Sequence, residues 1–180
     1  MTDVEGLFRA YHLPLVRYLT RRLGDRDWAE EVAQEAFVRA LRHGEAGTGP
    51  APAKERSWLF AVATNLVRDE ARKDSRRRRH LELLRGEAAD ARVESPAAVY
   101  ESAQERAREA ALARRAVDAL AERDRLALLM REEGLDYGEI AEALGLSVGS
   151  VGTTLARARR RLVEHYEALA AGGVRGSHAG

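Results

Sequence analysis

The sequence has no cysteine among its 180 residues, which excludes a disulfide framework, a thiolate zinc site and thiol-based redox sensing. It also has no apolar run long enough to cross a bilayer. Its first residues, Met-Thr-Asp-Val-Glu, lack the basic and apolar segments of a signal peptide. We therefore expect a cytoplasmic protein that does not insert into a membrane.

Catalytic signatures are missing as well. The five histidines are scattered through different segments, and no glycine-rich loop has the spacing that cradles phosphates. The many carboxylates fall on predicted helix surfaces. These observations predict a protein that is not an enzyme, binds no metal and needs no cofactor.

Net charge carries little information, because acidic and basic residues cancel to a formal +1. Their placement is more informative. One basic block comprises Arg72, Lys73 and residues 76–79, and a second comprises Arg157 and residues 159–161. Such clusters in an otherwise balanced chain are compatible with a nucleic-acid partner.

Apolar residues recur at helical spacing throughout, and no alternating strand pattern or Asn-Gly hairpin is visible, so we predict an all-α fold. The first helical stretch begins near Val4 and is either kinked or divided at Pro14. A second helix is predicted to start with a capping box of Asp27 and Glu30 and to end near His43.

A loop rich in glycine and proline, residues 44–52, precedes the next helix, for which Ser57 is the predicted N-cap. That helix continues into the first basic block without a breaker. The helical pattern then fades. We predict an N-terminal domain over residues 1–83, a flexible linker over 84–108, a C-terminal domain over 109–168 and a tail over 169–180.

The C-terminal domain contains the pattern of a helix-turn-helix. Asp136 and Glu139 form a capping box before a short apolar helix that Gly145 can end, and Ser147 is placed as the next N-cap. The second helix has a narrow apolar stripe, which comprises Val148, Val151, Leu155, Ala158 and Leu162.

The opposite face of this second helix is predicted to bind DNA. In a helix-turn-helix, the N-terminal part of the second helix enters the major groove. The candidate contacts are Gly149, Ser150, Thr153, Thr154, Arg157 and Arg160. We expect the threonines and serine near base edges or phosphates, and the arginines on the backbone.

Residues 135–151 (LDYGEIAEALGLSVGSV), followed by the arginine-rich residues 156–162, resemble the C-terminal domain of extracytoplasmic-function sigma factors of the sigma-70 class. The resemblance implies that this domain reads the minus-thirty-five promoter element. Residues 27–41 (DWAEEVAQEAFVRAL) resemble the family's core-binding helix. The implied contacts with the clamp of the largest RNA polymerase subunit are Glu31, Gln34, Glu35 and Val38.

Residues 58–73 (WLFAVATNLVRDEARK) resemble the family's segment that melts and reads the minus-ten element. The side chains that this implies for single-stranded DNA are Asn65, Arg68, Arg72 and Lys73. The resemblance further implies an anti-sigma protein as a regulatory partner. The chain departs from the family where Gly152 and Thr154 replace common basic residues, and where Ala121 replaces a frequent proline.

Two other functions remain open at this point. A two-domain helix-turn-helix regulator would bind its operator without polymerase, usually as a dimer. A helical adaptor would hold another protein and no DNA. A sigma factor, in contrast, should bind core polymerase first and acquire promoter specificity within that complex.

Overall fold

Seven helices make up the part of the chain that a computed structural model describes, residues 4–82 and 101–176. The helices are α1 (Val4–Leu23), α2 (Arg26–Glu45), α3 (Glu55–Glu82), α4 (Glu101–Asp118), α5 (Glu122–Glu132), α6 (Tyr137–Leu144) and α7 (Val148–Gly176), with a 3₁₀ turn Pro52–Lys54 before α3. No strand occurs among these residues, and the all-α prediction is confirmed.

A tight connection joins α1 to α2. Pro14 lies inside α1 without dividing it, and Gly24, at φ 74°, allows the chain to reverse after Leu23. Asp25 then caps α2 by accepting a hydrogen bond from the Trp28 amide at 3.0 Å. The prediction that Asp27 caps this helix is wrong, because the turn at Gly24 brings the earlier aspartate into the capping position.

The third helix also starts earlier than predicted. It begins at Glu55, so Ser57 lies in its first turn and donates a hydrogen bond to the Lys54 carbonyl at 3.0 Å. The helix continues through the first basic block, as predicted. The side chain of Lys73 and those of residues 76–79 lie outside the described part of the structure.

The N-terminal domain, α1–α3, packs around buried side chains of all three helices, among them Leu15, Leu19, Ala33 and Phe60. Along α2, the buried side chains include Val32, Ala36 and Phe37, whereas Leu41 is 45% exposed. The Tyr18 hydroxyl shares a hydrogen bond of 2.8 Å with that of Thr64, and burial raises the pKa of the tyrosine.

The C-terminal domain comprises α4–α7, with α7 in contact with each of the other three helices. Its core includes Leu126, Met130, Ile140 and Leu155. Helix α4 begins at Glu101, within the segment predicted as linker, and α7 continues to Gly176, into the predicted tail. The placement of Val148 in the apolar stripe is wrong, because it is the first residue of α7 and is 57% exposed.

The two domains pack against one another. Helix α3 contacts α6, and α1 contacts α5. Buried side chains of both domains, such as Leu59 and Leu135, belong to one continuous apolar core. The sequence predicted two helical domains but gave no indication of this contact.

Candidate nucleic-acid interface

The helix-turn-helix of α6 and α7 is formed by the residues that predict it. Asp136 accepts a hydrogen bond from the Glu139 amide at 2.8 Å, and Glu139 accepts one from the Asp136 amide at 2.8 Å. Gly145 ends α6 in the left-handed conformation at φ 65° and ψ 40°. The Leu146 amide then donates to the Ala141 carbonyl at 2.8 Å. Both the capping box and the glycine turn are confirmed.

Near the N-terminus of α7, the side chains on its outward face are small and uncharged. Gly149 and Thr153 are exposed, and Ser150 is half-buried. The Ser150 hydroxyl donates to the Ser147 carbonyl at 2.8 Å, so its acceptor lone pairs remain available to a ligand. These three positions present a surface that a groove could approach closely.

Thr154 does not belong to this face. It is only 5% exposed and lies between the buried residues Val151 and Leu155 on the side that packs inward. The prediction that Thr154 faces DNA is wrong, because positions 151, 154, 155 and 158 form a wide buried face at helical spacing.

Arg157 is also committed elsewhere. Its Nε donates to Oδ2 of Asp124 at 2.9 Å, and Arg161 lies 3.5 Å from the same carboxylate. The hydrogen bonds from Arg157 hold the pKa of the Asp124 carboxyl below its ordinary value. Arg157 thus fixes α7 to α5. Arg160, exposed and 3.7 Å from Glu164, is the cation of the predicted set that is available to a phosphate.

The four residues predicted for the minus-ten element lie along the middle of α3. Asn65 is exposed, and Arg72 is exposed with Asp69 at 3.9 Å. Arg68 differs, because its Nε donates to Glu122 of α5 at 3.1 Å. The side chain of Lys73 is outside the described residues.

A cavity of about 500 Å³ opens where α1 and α3 of the N-terminal domain meet α5. Its charged lining comprises Arg22, Arg68, Arg72, Arg125 and Glu122. Desolvation acts to raise the pKa of Glu122, but the hydrogen bond from Arg68 and the nearby guanidinium groups hold it below its ordinary value. Burial lowers the pKa of Arg22, whose Nη2 lies 3.2 Å from Glu122.

The residues predicted to bind polymerase share the solvent face of α2. Glu31, Gln34 and Val38 are exposed, while Glu35 is partly exposed and accepts from Arg39 at 3.0 Å. Val32 and Ala33 are buried on the other side. Their placement off the buried stripe is confirmed, and their contact with polymerase stays a prediction.

No sequence pattern indicates that Glu133 is buried and paired with residues of the other domain. This residue follows α5, its side chain is 2% exposed, and it is paired with Arg17 and Arg21 of α1. Nothing in the local sequence distinguishes it from its exposed neighbour Glu132. The signal lies in the tertiary arrangement, since its partners are more than 100 residues away.

Within residues 4–82 and 101–176, no group of three or more histidine, aspartate or glutamate side chains is arranged to hold a metal ion. None of the described helices combines the length and the apolar character that crossing a membrane requires.

Family models match both domains of the chain. The model described as sigma-70 region 2 matches residues 7–77, and the one described as sigma-70, region 4 matches residues 110–162. The first covers most of α1, all of α2 and most of α3, and the second covers α5, α6 and the first half of α7. Each matched segment therefore lies within one of the two structural domains.

Relatives of similar length show the same relationship. The chain is 31% identical to the RNA polymerase sigma factor YlaC of Bacillus subtilis over 161 residues, which cover 89% of this chain and 90% of that protein. It is also 31% identical to the RNA polymerase sigma-H factor of Pseudomonas aeruginosa, with 89% and 88% covered.

The fold is similar to that of the sigma factor RpoE from Bartonella quintana, solved in complex with the anti-sigma factor NepR. The TM-score is 0.67 at 18% identity, and the match covers 93% of this chain and 98% of that one. The two family models match in the order in which the regions are numbered, and the similarity to the relatives extends over most of both chains. The fold is shared as well. The chain belongs to the sigma-70 family of bacterial RNA polymerase sigma factors, in its extracytoplasmic-function group.

Proposed function

We propose that this sigma factor directs RNA polymerase to promoters through three separate surfaces, one on α2, one on α3 and one on α7. The observation that carries the proposal is the intact helix-turn-helix in a chain that also matches the family's N-terminal region. The match of both regions favours a sigma factor over a free-standing regulator or an adaptor.

The minus-thirty-five element is assigned to the outward face of α7. Gly149, Ser150 and Thr153 lie at the N-terminal end of the recognition helix, where base edges are reached in this motif. Arg160, two turns further on, is placed to contact a phosphate. Because Arg157 is held by Asp124, it supports DNA binding by positioning α7.

The minus-ten element is assigned to the exposed side of α3. Asn65 can hydrogen-bond a base edge, and Arg68, Arg72 and Lys73 follow on the same helix as cations for the backbone of a separated strand. Because all four residues belong to α3, the helix fixes the spacing between their backbones.

Core polymerase is assigned to the face of α2 formed by Glu31, Gln34, Glu35 and Val38. This face combines carboxylates with an exposed valine, so it offers both charge and apolar area to a partner. Contact of this valine with a partner would remove its apolar area from water, which favours association.

We further infer that the protein acts in the cytoplasm, as an initiation factor without catalytic activity of its own. The structural neighbour from Bartonella quintana is complexed with an anti-sigma factor. By analogy, a protein of that kind is expected to regulate this chain as well.

The test is a transcription assay with core polymerase and genomic promoter DNA, with and without this protein. Wild type should yield promoter-specific transcripts and should co-elute with core on size exclusion. A Gln34→Ala, Val38→Ala double variant should lose at least about tenfold in core affinity, since it truncates the centre of the proposed surface.

The matched control is Glu109→Ala, an exposed residue of α4 away from all three surfaces. It should bind core like wild type. The proposed function is wrong if wild type forms no complex with core. It is also wrong if the protein binds a promoter as a dimer in the absence of polymerase.

A further inference from the structure

The cavity between α1, α3 and α5 gathers several arginines around one carboxylate. Arg68 and Arg72 lie one turn apart on α3, Arg22 lies in the last turn of α1, and Arg125 lies near the start of α5. Among the described residues that line the cavity, Glu122 alone is acidic. Four guanidinium groups and one carboxylate leave a formal charge of +3, whereas the whole chain has a formal net charge of only +1.

Glu122 positions two of these arginines without neutralising the group. Its Oε1 lies 3.2 Å from Nη2 of Arg22 and 3.1 Å from Nε of Arg68. The Arg22 side chain is only 4% exposed, and its Nη1 donates to the Thr64 carbonyl at 3.1 Å. Burial lowers the pKa of Arg22, and the charges of Arg68 and Arg125 lower it further. The cavity therefore keeps an excess of positive charge around a buried guanidinium group.

Arg125 has a hydrogen-bond donor that is not used. Its Nε is buried and lacks a hydrogen-bond partner, a condition that only Nε of Arg56 shares among the described residues. Nη1 of Arg125 lies 3.5 Å from Oδ1 of Asp118, a side chain that is about half exposed. A buried N–H group without an acceptor is unfavourable, so Arg125 gains more from an added oxyanion than a fully paired arginine would.

The amino end of α5 adds to the positive character of the cavity. Glu122, which lines the cavity, is the first residue of this helix. The preceding residue, Ala121, makes no side-chain hydrogen bond to the amides of the first turn. Amides without a side-chain cap at the start of a helix favour a nearby anion.

The size and lining of the cavity indicate the class of ligand. Its volume of about 500 Å³ lies in the range of small-molecule sites, roughly 300–1,000 Å³. Arginine suits phosphate because its N–H donors match two phosphate oxygens at once. An excess of three positive charges matches linked phosphates better than one phosphodiester, which carries a single negative charge. Leu23, Val67 and Ala71 provide an apolar wall beside the arginines.

We propose that this cavity is a binding site for linked phosphates, as a nucleoside triphosphate or an inorganic polyphosphate presents them. Arg22 and Arg125 belong to none of the three promoter or polymerase surfaces, so the site is an addition to them. Arg68 and Arg72 are shared with the surface assigned to the minus-ten strand, and a bound ligand would compete with that strand for both. This competition rests on the proposed function, whereas binding to the free chain does not.

Binding is tested by calorimetric titration of the full chain with ATP and, separately, with inorganic tripolyphosphate, both in EDTA and at constant ionic strength. At least one of the two should bind. Orthophosphate should bind at least about tenfold more weakly, because a single phosphate cannot reach all of the guanidinium groups. Tighter binding of ATP assigns the apolar wall to a nucleoside, and tighter binding of tripolyphosphate assigns the site to an inorganic chain.

Two variants test the position of the site. Arg125→Gln removes the arginine with the unused donor and should weaken binding of the tighter probe about tenfold or more. Arg72→Gln should weaken it as well, and the 72% exposure of this side chain makes loss of folding an unlikely cause. The matched control is Arg123→Gln, which removes the same charge from an exposed position of α5 outside the cavity lining. It should leave the affinity within about twofold of wild type, because salt screens distant exposed charges.

Several outcomes would overturn the site. One is the absence of binding of both ATP and tripolyphosphate to wild type, and another is an equal affinity of wild type, Arg125→Gln and Arg72→Gln. A third is a single-stranded oligonucleotide that binds the free chain through Arg125 and is not displaced by either probe, since the cavity would then serve a nucleic-acid backbone. None of these measurements uses core polymerase. Their failure therefore leaves the proposed function to its own transcription assay.

Discussion

Arg157 and Asp124 join the recognition helix to α5 across 33 positions of sequence. Nε of Arg157 lies 2.9 Å from Oδ2 and 3.2 Å from Oδ1 of a carboxylate that is 1% exposed. A second arginine, Arg161, approaches the same group. One buried acidic residue thus contributes, together with the apolar core, to fixing the orientation of α7.

Replacement of this residue should weaken the C-terminal domain. In Asp124→Asn, both arginines lose their counter-charge, and the free energy of unfolding should fall by about 2 kcal/mol once the partial exposure of Arg157 is taken into account. Urea unfolding followed by circular dichroism measures the change. Asp118→Asn is the control, because Asp118 is about half exposed and pairs with Arg125 at 3.5 Å; it should cost under 1 kcal/mol. Equal losses in both variants would contradict this account.

The same carboxyl predicts a response to acid. Its pKa is lowered in the folded protein, so the folded state binds fewer protons than the unfolded state below the ordinary value of about 3.9. The stabilisation is complete above that value and is lost as the pH falls through the lower, folded pKa.

Unfolding measured from pH 6 to pH 2 should show wild type losing this contribution in acid. Asp124→Asn lacks the titrating group and should show a shallower decline. Parallel curves for the two proteins would show that Asp124 makes no such contribution.

Two glycines of the helix-turn-helix should respond in opposite directions to alanine. Gly145 has a φ of 65°, so Gly145→Ala should destabilise the domain by about 1 kcal/mol. Gly152 lies inside α7, and an added Cβ would meet Cε2 of Tyr137 at 3.5 Å, an ordinary contact. Gly152→Ala should therefore stabilise the domain by up to about 1 kcal/mol. Each variant is the other's control. A shift of both Tm values in the same direction would contradict this prediction.

Arg160 should contribute to affinity without reading sequence. Arg160→Gln removes one proposed phosphate contact. The complex of the variant with core should therefore bind different promoters more weakly, each by a similar factor. The plot of log affinity against log salt concentration should become less steep by about one. Fluorescence anisotropy over a range of salt concentrations measures both quantities. The control Arg114→Gln changes an exposed arginine of α4 and should leave the slope intact. An unchanged slope in Arg160→Gln would remove this residue from the interface.

The local features of the fold were predictable because they depend on neighbouring residues. Asp136, Glu139 and Gly145 act within one short helix, where capping and a positive φ are strong constraints. The predicted cap of α2 is two positions too late because Asp25 and Asp27 are both good capping residues. The turn at Gly24, which decides between them, is a property of the backbone path.

Long-range pairing limited what could be predicted of the site. The placement of Thr154 opposite the apolar stripe is wrong because the packing of α7 buries a wider face than the apolar residues alone define. Arg157 was assigned to phosphate because its partner Asp124 belongs to another helix. Glu133 gave no signal, since nothing in the chain near it identifies Arg17 or Arg21 as its partners.

The pairing of Arg68 with Glu122 sets a trade-off for the evolution of this protein. A change that strengthens the cationic surface of α3 raises its affinity for nucleic acid and for the protein's own carboxylate at the same time. Under the proposed function, promoter affinity and the strength of this contact between the domains therefore cannot be tuned independently at this position.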